Sequence, residues 1–269
     1  MRGGALPPPL GRESRITPRP SSKSGPSHAN VGLALLGTVL DMHGSRDEVA
    51  ANVATIRAGI ERACHEVGRD PHEVLLVAAA KTLPAEVVRW AVELGVTDIG
   101  ENYVKELRQI HDEVPGARWH YIGALQTNTA HHVAALADVV QTVAGARATE
   151  RLARRAAEDG HTIDALIEVD LTIERSGVPP DETEAFADRV AAMDGLRLRG
   201  LMTIPPVELD AERARPWFRR LRALRDRVRE NHPDVVDLSM GMSLDYRAAV
   251  EEGATMVRIG TALFGPRTP

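Results

Sequence analysis

Val74-Leu75-Leu76-Val77-Ala78-Ala79-Ala80-Lys81 is a run of seven apolar residues that ends on a lysine. A run this short, with no polar position, is what a strand buried on both faces requires. Such strands belong to parallel sheets covered on both sides. Seven further short runs follow it, at residues 97–100, 118–123, 139–143, 163–170, 196–203, 235–240 and 255–259. Between them lie helix-period segments at 84–94, 103–113, 127–136, 147–158, 181–193, 212–231 and 243–252. One more helical segment, residues 46–67, precedes the first strand.

Strands that alternate with helices pair in parallel through right-handed crossovers. Eight such units predict an α/β protein, a single (β/α)8 TIM barrel with an N-terminal helix before strand 1. No long helix follows the eighth strand, so residues 46–67 are expected to take the eighth helical position. A doubly wound open sheet is the alternative, but no G-x-G-x-x-G follows the first strand.

Composition narrows the function. The chain has 269 residues, 43% of them hydrophobic, enough for one large core. A net charge of −5 and only 3% aromatic residues argue against nucleic-acid binding. Phe218, Leu221, Leu224 and Val228 form an apolar stripe, so the arginine-rich segment around them reads as an amphipathic helix with a solvated face. His131 and His132 lack metal-ligand spacing and are expected at the surface. The single cysteine, Cys64, lies in an apolar stripe with Ile56, Ile60 and Val67 and reads as a small buried hydrophobe. One cysteine allows no internal disulfide, which fits a reducing, cytoplasmic setting. No apolar patch marks an interface, so a monomer is expected.

The first 41 residues are rich in proline, glycine and serine, including Pro7, Pro8, Pro9, Pro18, Pro20 and Pro26. Such composition buries too little to repay ordering. Residues 31–40 are apolar but too short to span a bilayer, and no signal cleavage pattern follows them. Residues 1–44 are therefore expected to be a disordered extension, or an upstream reading before Met42, and residues 45–269 the barrel.

Functional groups in such barrels collect at the C-terminal strand ends. Lys81 ends the first strand above an apolar core, where desolvation disfavours the ammonium and frees the amine to attack an aldehyde. By position alone it could equally be a lysine that lifts its charge to the rim. Two other ends are distinctive. Leu238-Ser239-Met240-Gly241-Met242-Ser243 closes strand seven, with Gly241 as a turn residue and Ser243 placed to cap the next helix. Arg258-Ile259-Gly260-Thr261 closes strand eight. The loops after strands seven and eight are a recurrent phosphate site in this fold. With the strand-one lysine they describe a ligand carrying an aldehyde at one end and a phosphate at the other.

Several motifs occur in order: Ala80-Lys81-Thr82, Ile99-Gly100-Glu101-Asn102-Tyr103, Trp119 to Asn128, Leu198-Arg199-Gly200-Leu201-Met202, Leu238 to Ser243, and Val257 to Gly265. Over about residues 46–267 the chain resembles the pyridoxal phosphate homeostasis protein family. The resemblance implies a single barrel like the N-terminal domain of alanine racemase, with pyridoxal 5′-phosphate as cofactor, held as a Schiff base on Lys81. It implies that Ser243, Gly260 and Thr261 hold the phosphate, that Arg258 faces the pyridine nitrogen, and that Asn102 lies near the ring. Leu83, Thr129 and Arg175 replace lysines common in the family, so a second cofactor site or a transfer step using the lysine before Ser176-Gly177 is in doubt. Arg175 keeps the charge there but cannot form a Schiff base.

The resemblance implies a cofactor-binding protein of vitamin B6 homeostasis and supply, not an enzyme, whose partners are apo forms of pyridoxal-phosphate enzymes. The alternative is a pyridoxal-phosphate-dependent amino-acid racemase or decarboxylase. A guanidinium beside the ring nitrogen weakens the ring as an electron sink, which a racemase can tolerate. A racemase needs a second base across the ring, however, and none of Tyr103, Tyr121 and Tyr246 is obviously placed for it. A cofactor-free aldolase on Lys81 would leave Gly241–Ser243 and Gly260–Thr261 without a purpose.

Overall fold

The structure is a computed structural model that describes residues 45–172, 176–206 and 211–266. The expected extension 1–44, with its apolar stretch 31–40, and Arg175 lie outside the described residues.

The first described helix, α1 (Arg46–Glu66), opens on a capping box. The Ser45 hydroxyl accepts the Glu48 N–H at 3.2 Å, and the Glu48 carboxylate accepts the Ser45 N–H at 2.6 Å. Its buried stripe is Val49, Val53, Ile56, Ile60 and Cys64. Cys64 is fully buried, and burial pushes its thiol pKa up, as a small core hydrophobe should be.

Eight strands then alternate with helices: β1 (Leu75–Ala79), β2 (Asp98–Glu101), β3 (Arg118–Tyr121), β4 (Val139–Val143), β5 (Ile163–Glu168), β6 (Leu196–Met202), β7 (Asp237–Ser239) and β8 (Met256–Ile259). All neighbours are parallel, and β1 pairs with β8 to close the barrel. Every run read from the sequence holds a strand, most of them shorter by one to three residues, while β4 fills its run and β2 is shifted by one residue to include Glu101. Beyond β5, the Val169 N–H still donates to the Met202 carbonyl while Val169 also bridges Val178, whose N–H donates to the Glu168 carbonyl.

Two helices differ more from expectation. The segment 127–136 is helical only over Ala130–Ala134, because Gln126 first turns the chain by accepting the Thr129 and Ala130 N–H groups. The segment 243–252 becomes helical only at Tyr246–Glu251, so Ser243 does not cap it. A short helix, Thr261–Phe264, follows β8. Helix α1 packs against both of these last helices and so fills the eighth helical position. Asn52 fastens it by donating to the Leu263 carbonyl at 3.0 Å.

The larger core cluster includes residues of both the barrel wall and the helices, and a smaller one, Val77, Val139, Leu166, Met202 and Met256, is drawn from strand residues alone. In the arginine-rich helix (Ala211–Asn231), Phe218, Leu221, Leu224 and Val228 are buried as the periodicity predicts. Its arginines are more engaged than a solvated face implies. Arg219 pairs with Glu252 at 2.8 Å, Arg227 with Glu184 at 2.9 Å, and Arg220 and Arg225 donate to the carbonyls of Leu171 and Val236.

Phe218→Ala should destabilise the protein by about 3–5 kcal/mol in urea unfolding, because it empties a fully buried site. Arg229→Ala, on the exposed face, should stay within about 0.5 kcal/mol of wild type.

Candidate functional site

Parallel strands all end on one face, so the polar strand ends converge there. A cavity of about 530 Å³ opens at that mouth, inside the range of roughly 300–1,000 Å³ usual for small-molecule sites. Asn102, Ser243, Arg258, Gly260 and Thr261 all line it, with Ala79, Ile122 and Ile204 among its apolar walls. The barrel thus brings together the expected residues from the ends of β2, β7 and β8. Lys81 is not among the lining residues. It is half-buried, two positions beyond Ala79, and its ammonium lies 5.1 Å from the centroid of the Tyr103 ring, within cation–π reach.

The turn after Lys81 is strained. Thr82 has φ +64°, the one positive φ at a non-glycine residue among the described residues. The Glu106 carboxylate holds it by accepting the Thr82 N–H at 3.0 Å, while the Thr82 hydroxyl donates to the Lys81 carbonyl at 2.6 Å. Glu101, at the end of β2, is fully buried beside Glu106. One of its oxygens accepts the Asn102 N–H at 2.9 Å, and the other, Oε1, has no partner. Burial, then the charge of Glu106, push the Glu101 carboxyl up to about 7. Protonation turns an orphan acceptor into a donor. Sequence reading took Glu101 only as part of a motif; a glutamate at the end of a fully buried strand was the signal.

Two glycines shape the loops. A Cβ on Gly123 would come 1.8 Å from the Asn102 carbonyl oxygen, so only glycine lets the loop after β3 pass Asn102. Gly241 has φ +92°, and its carbonyl accepts the Arg258 N–H at 3.0 Å. Ser243 ties the two expected phosphate loops together, its hydroxyl accepting the Ala262 N–H at 3.1 Å. That replaces the capping role read from the sequence, because the helix begins three residues later. Asp245 holds this turn by accepting the Met242 N–H at 2.6 Å.

Arg258 is buried, and burial pulls its pKa down to about 10, which still leaves it charged near neutrality. Its Nη1 donates to the Ser239 hydroxyl at 2.5 Å and its Nη2 to the Thr203 carbonyl at 3.0 Å. A guanidinium has five N–H donors, so donors remain for the cavity that Arg258 lines.

Elsewhere, Leu83 is buried, and the Thr129 hydroxyl donates to the Gln126 carbonyl at 3.3 Å. His131 and His132, expected at the surface, are half-buried with ring centroids 3.9 Å apart. No cluster of metal-ligating side chains occurs among the described residues. Of the tyrosines, Tyr121 donates to the Ala124 carbonyl and Tyr246 is buried against α1 at Gly59.

Glu101 generates a pH dependence. A carboxyl whose folded pKa is raised contributes stability below its unfolded value of 4.5 and loses it as pH climbs through about 7. Glu101→Gln should therefore remove this fall between pH 5 and 8, and be the more stable form at pH 8, by on the order of 1–3 kcal/mol. Urea unfolding at both pH values reads this directly.

The sequence profile described as alanine racemase, N-terminal domain, matches residues 46–268. The chain is 37% identical over 213 residues to the pyridoxal phosphate homeostasis protein of Aquifex aeolicus, covering 77% of this chain and 93% of that protein. It is 40% identical over 225 residues to the protein of the same name from Pseudomonas aeruginosa, covering 81% and 96%. Among solved structures, PipY of Synechococcus elongatus with PLP bound is similar at 32% identity and a TM-score of 0.72, over 81% of this chain and all of that one (100%). The chain belongs to the alanine racemase N-terminal domain family and, within it, to the pyridoxal phosphate homeostasis proteins.

Proposed function

We propose that this chain binds pyridoxal 5′-phosphate at the barrel mouth and serves its homeostasis and supply, holding the cofactor rather than turning over a substrate. The convergence of Asn102, Ser243, Arg258, Gly260 and Thr261 on one cavity near the lysine-bearing turn carries this reading. The relatives' names and the PLP-bound PipY structure support it. The barrel of residues 45–269 is the binding unit.

Each residue has a task that its surroundings suit. The Lys81 amine would hold the cofactor through its aldehyde, by a reversible condensation that loses water. Ser243, already accepting from Ala262, keeps its own proton to donate to a phosphate oxygen. Gly260 and Thr261 complete the phosphate cradle. Arg258 would offer its remaining donors to the pyridine nitrogen, where its charge would disfavour protonation. Asn102 would lie near the ring. The cofactor supplies the aldehyde and the electron-accepting ring. Release to apo forms of pyridoxal-phosphate enzymes, a monomeric state and a cytoplasmic location complete the reading. Among the described residues, no helix is long and apolar enough to cross a membrane.

An amino-acid racemase or decarboxylase would use the same residues. It would also need an acid–base group across the ring from Lys81. Tyr103 stands against Lys81 itself, while the hydroxyls of Tyr121 and Tyr246 face other groups.

The chain has three lysines, Lys23, Lys81 and Lys105, so borohydride trapping followed by peptide mapping is unambiguous. The adduct should lie on Lys81; one on Lys105 with Lys81 untouched would sink the assignment. The loaded protein should exchange the α-hydrogen of alanine in deuterated water no faster than free cofactor does. Rapid exchange that depends on Lys81 would favour the racemase.

Ser243→Ala should weaken pyridoxal phosphate about tenfold to a hundredfold, the worth of a charge-assisted hydrogen bond, and free pyridoxal far less. Equal losses in absorbance titrations would move the phosphate elsewhere.

A further inference from the structure

Behind Arg258 a line of polar side chains runs through the barrel. Arg258 Nη1 donates to Ser239 Oγ at 2.5 Å. Ser239 has one proton, and its Oγ lies 2.6 Å from Gln141 Oε1. Gln141 Nε2 lies 2.8 Å from His120 Nδ1, and His120 Nε2 lies 2.8 Å from Asp98 Oδ1. Ser239, Gln141 and His120 are fully buried, and Asp98 nearly so.

The chemistry of these groups sets one direction for the whole line. Arg258 can only donate, so Ser239 accepts from it and passes its own proton toward Gln141. That makes the near atom of the Gln141 amide the oxygen and leaves its N–H₂ to face His120. His120 Nδ1 must then accept, so the imidazole proton is on Nε2 and points to Asp98. Burial works to raise the pKa of Asp98, but the hydrogen bond from His120, the electrostatic pull of that imidazole and then the guanidinium of Arg118 outweigh it and hold the carboxyl below its ordinary value. The line therefore starts on a cation, ends on an anion, and has every donor pointing the same way. Asp98 in turn lies 3.5 Å from Arg118 at the opposite rim.

We infer that Gln141 and His120, acting through Ser239, are positioning residues for Arg258: they fix the Ser239 hydroxyl as an acceptor and so aim the guanidinium at the cavity. This rests on the reading of Arg258 as the partner of the cofactor ring. The remote groups matter because a serine hydroxyl rotates freely. Without an acceptor at Gln141 its proton has no buried partner, and an orientation that turns the proton toward Arg258 sets donor against donor. The Thr203 carbonyl is then the one hydrogen bond left to the guanidinium, with the charges of Glu168 and Asp245 attracting it without fixing its orientation. Neither Gln141 nor His120 lines the cavity, so any effect of them on the ligand passes through Arg258.

The test uses the full chain, titrated with pyridoxal phosphate and with free pyridoxal. Gln141→Met keeps the volume and removes the link. It should weaken both ligands by a similar factor, about threefold to tenfold, unlike the phosphate-selective loss at Ser243. In an Arg258→Lys background the same change should add little, because the two act as a unit. Nitrogen-15 spectra of the imidazoles should show His120 protonated at Nε2, with the Nδ1 resonance moving in Gln141→Met. If Gln141→Met fails to fold, Ser239→Ala breaks the line one link nearer Arg258 and should behave the same way. Wild-type affinity in a folded variant, an equal loss in the Arg258→Lys background, or a His120 proton on Nδ1 would overturn the inference. Failure of the wild-type chain to bind pyridoxal phosphate would instead remove the cofactor reading, and the His120 tautomer would still decide the direction of the line.

Discussion

The pairing of β1 with β8 is the contact on which the rest depends. Leu75 to Ala78 lie in register with Met256 to Ile259, joining the first and last strands. Closure sets the turn that bears Lys81 beside the loop that bears Gly260 and Thr261. Because every pair is parallel, the ends of β2 and β7 arrive at the same mouth. An open sheet from the same strands would leave its first and last strands apart, and the cavity would have no common floor.

Closure also encloses polar groups, which is costly unless each finds a partner. The small apolar cluster of Val77, Val139, Leu166, Met202 and Met256 coexists with Asp98, His120, Gln141, Ser239 and Arg258, all drawn from the strands. Each polar member is hydrogen-bonded to the next, so the penalty is met within the barrel itself. At the opposite rim Arg118 and Arg197 share Asp164, at 2.7 and 2.6 Å. That end is built of mutually satisfied charges and reads as structural support, while the mouth keeps donors in reserve.

The region around Lys81 is where the molecule tolerates strain. Thr82 sits in the left-handed region, and Glu101 is buried next to a second carboxylate. Both features cost free energy, and the first directly follows the lysine, a distribution common at ligand sites. Glu106 links them, accepting from the strained peptide on one side and pressing on the Glu101 carboxyl on the other.

The alternation of eight mainly apolar runs with helix-period segments was enough to indicate a parallel α/β barrel, because strands covered on both faces are mostly apolar. Lys81, Ser243, Arg258 and Thr261 stood out as polar residues within or just beyond apolar runs, but the roles expected of them came from the resemblance, and only the barrel showed that Ser243, Arg258 and Thr261 line one cavity. Sequence could not decide what Ser243 does: capping is a local habit, whereas its bond to Ala262 crosses between two loops. Nor could it reveal Glu101 as an uncompensated acid, or join His120, Gln141 and Ser239 into one line. Those properties depend on which strands become neighbours and on how little water remains between them, and only the closed barrel sets both.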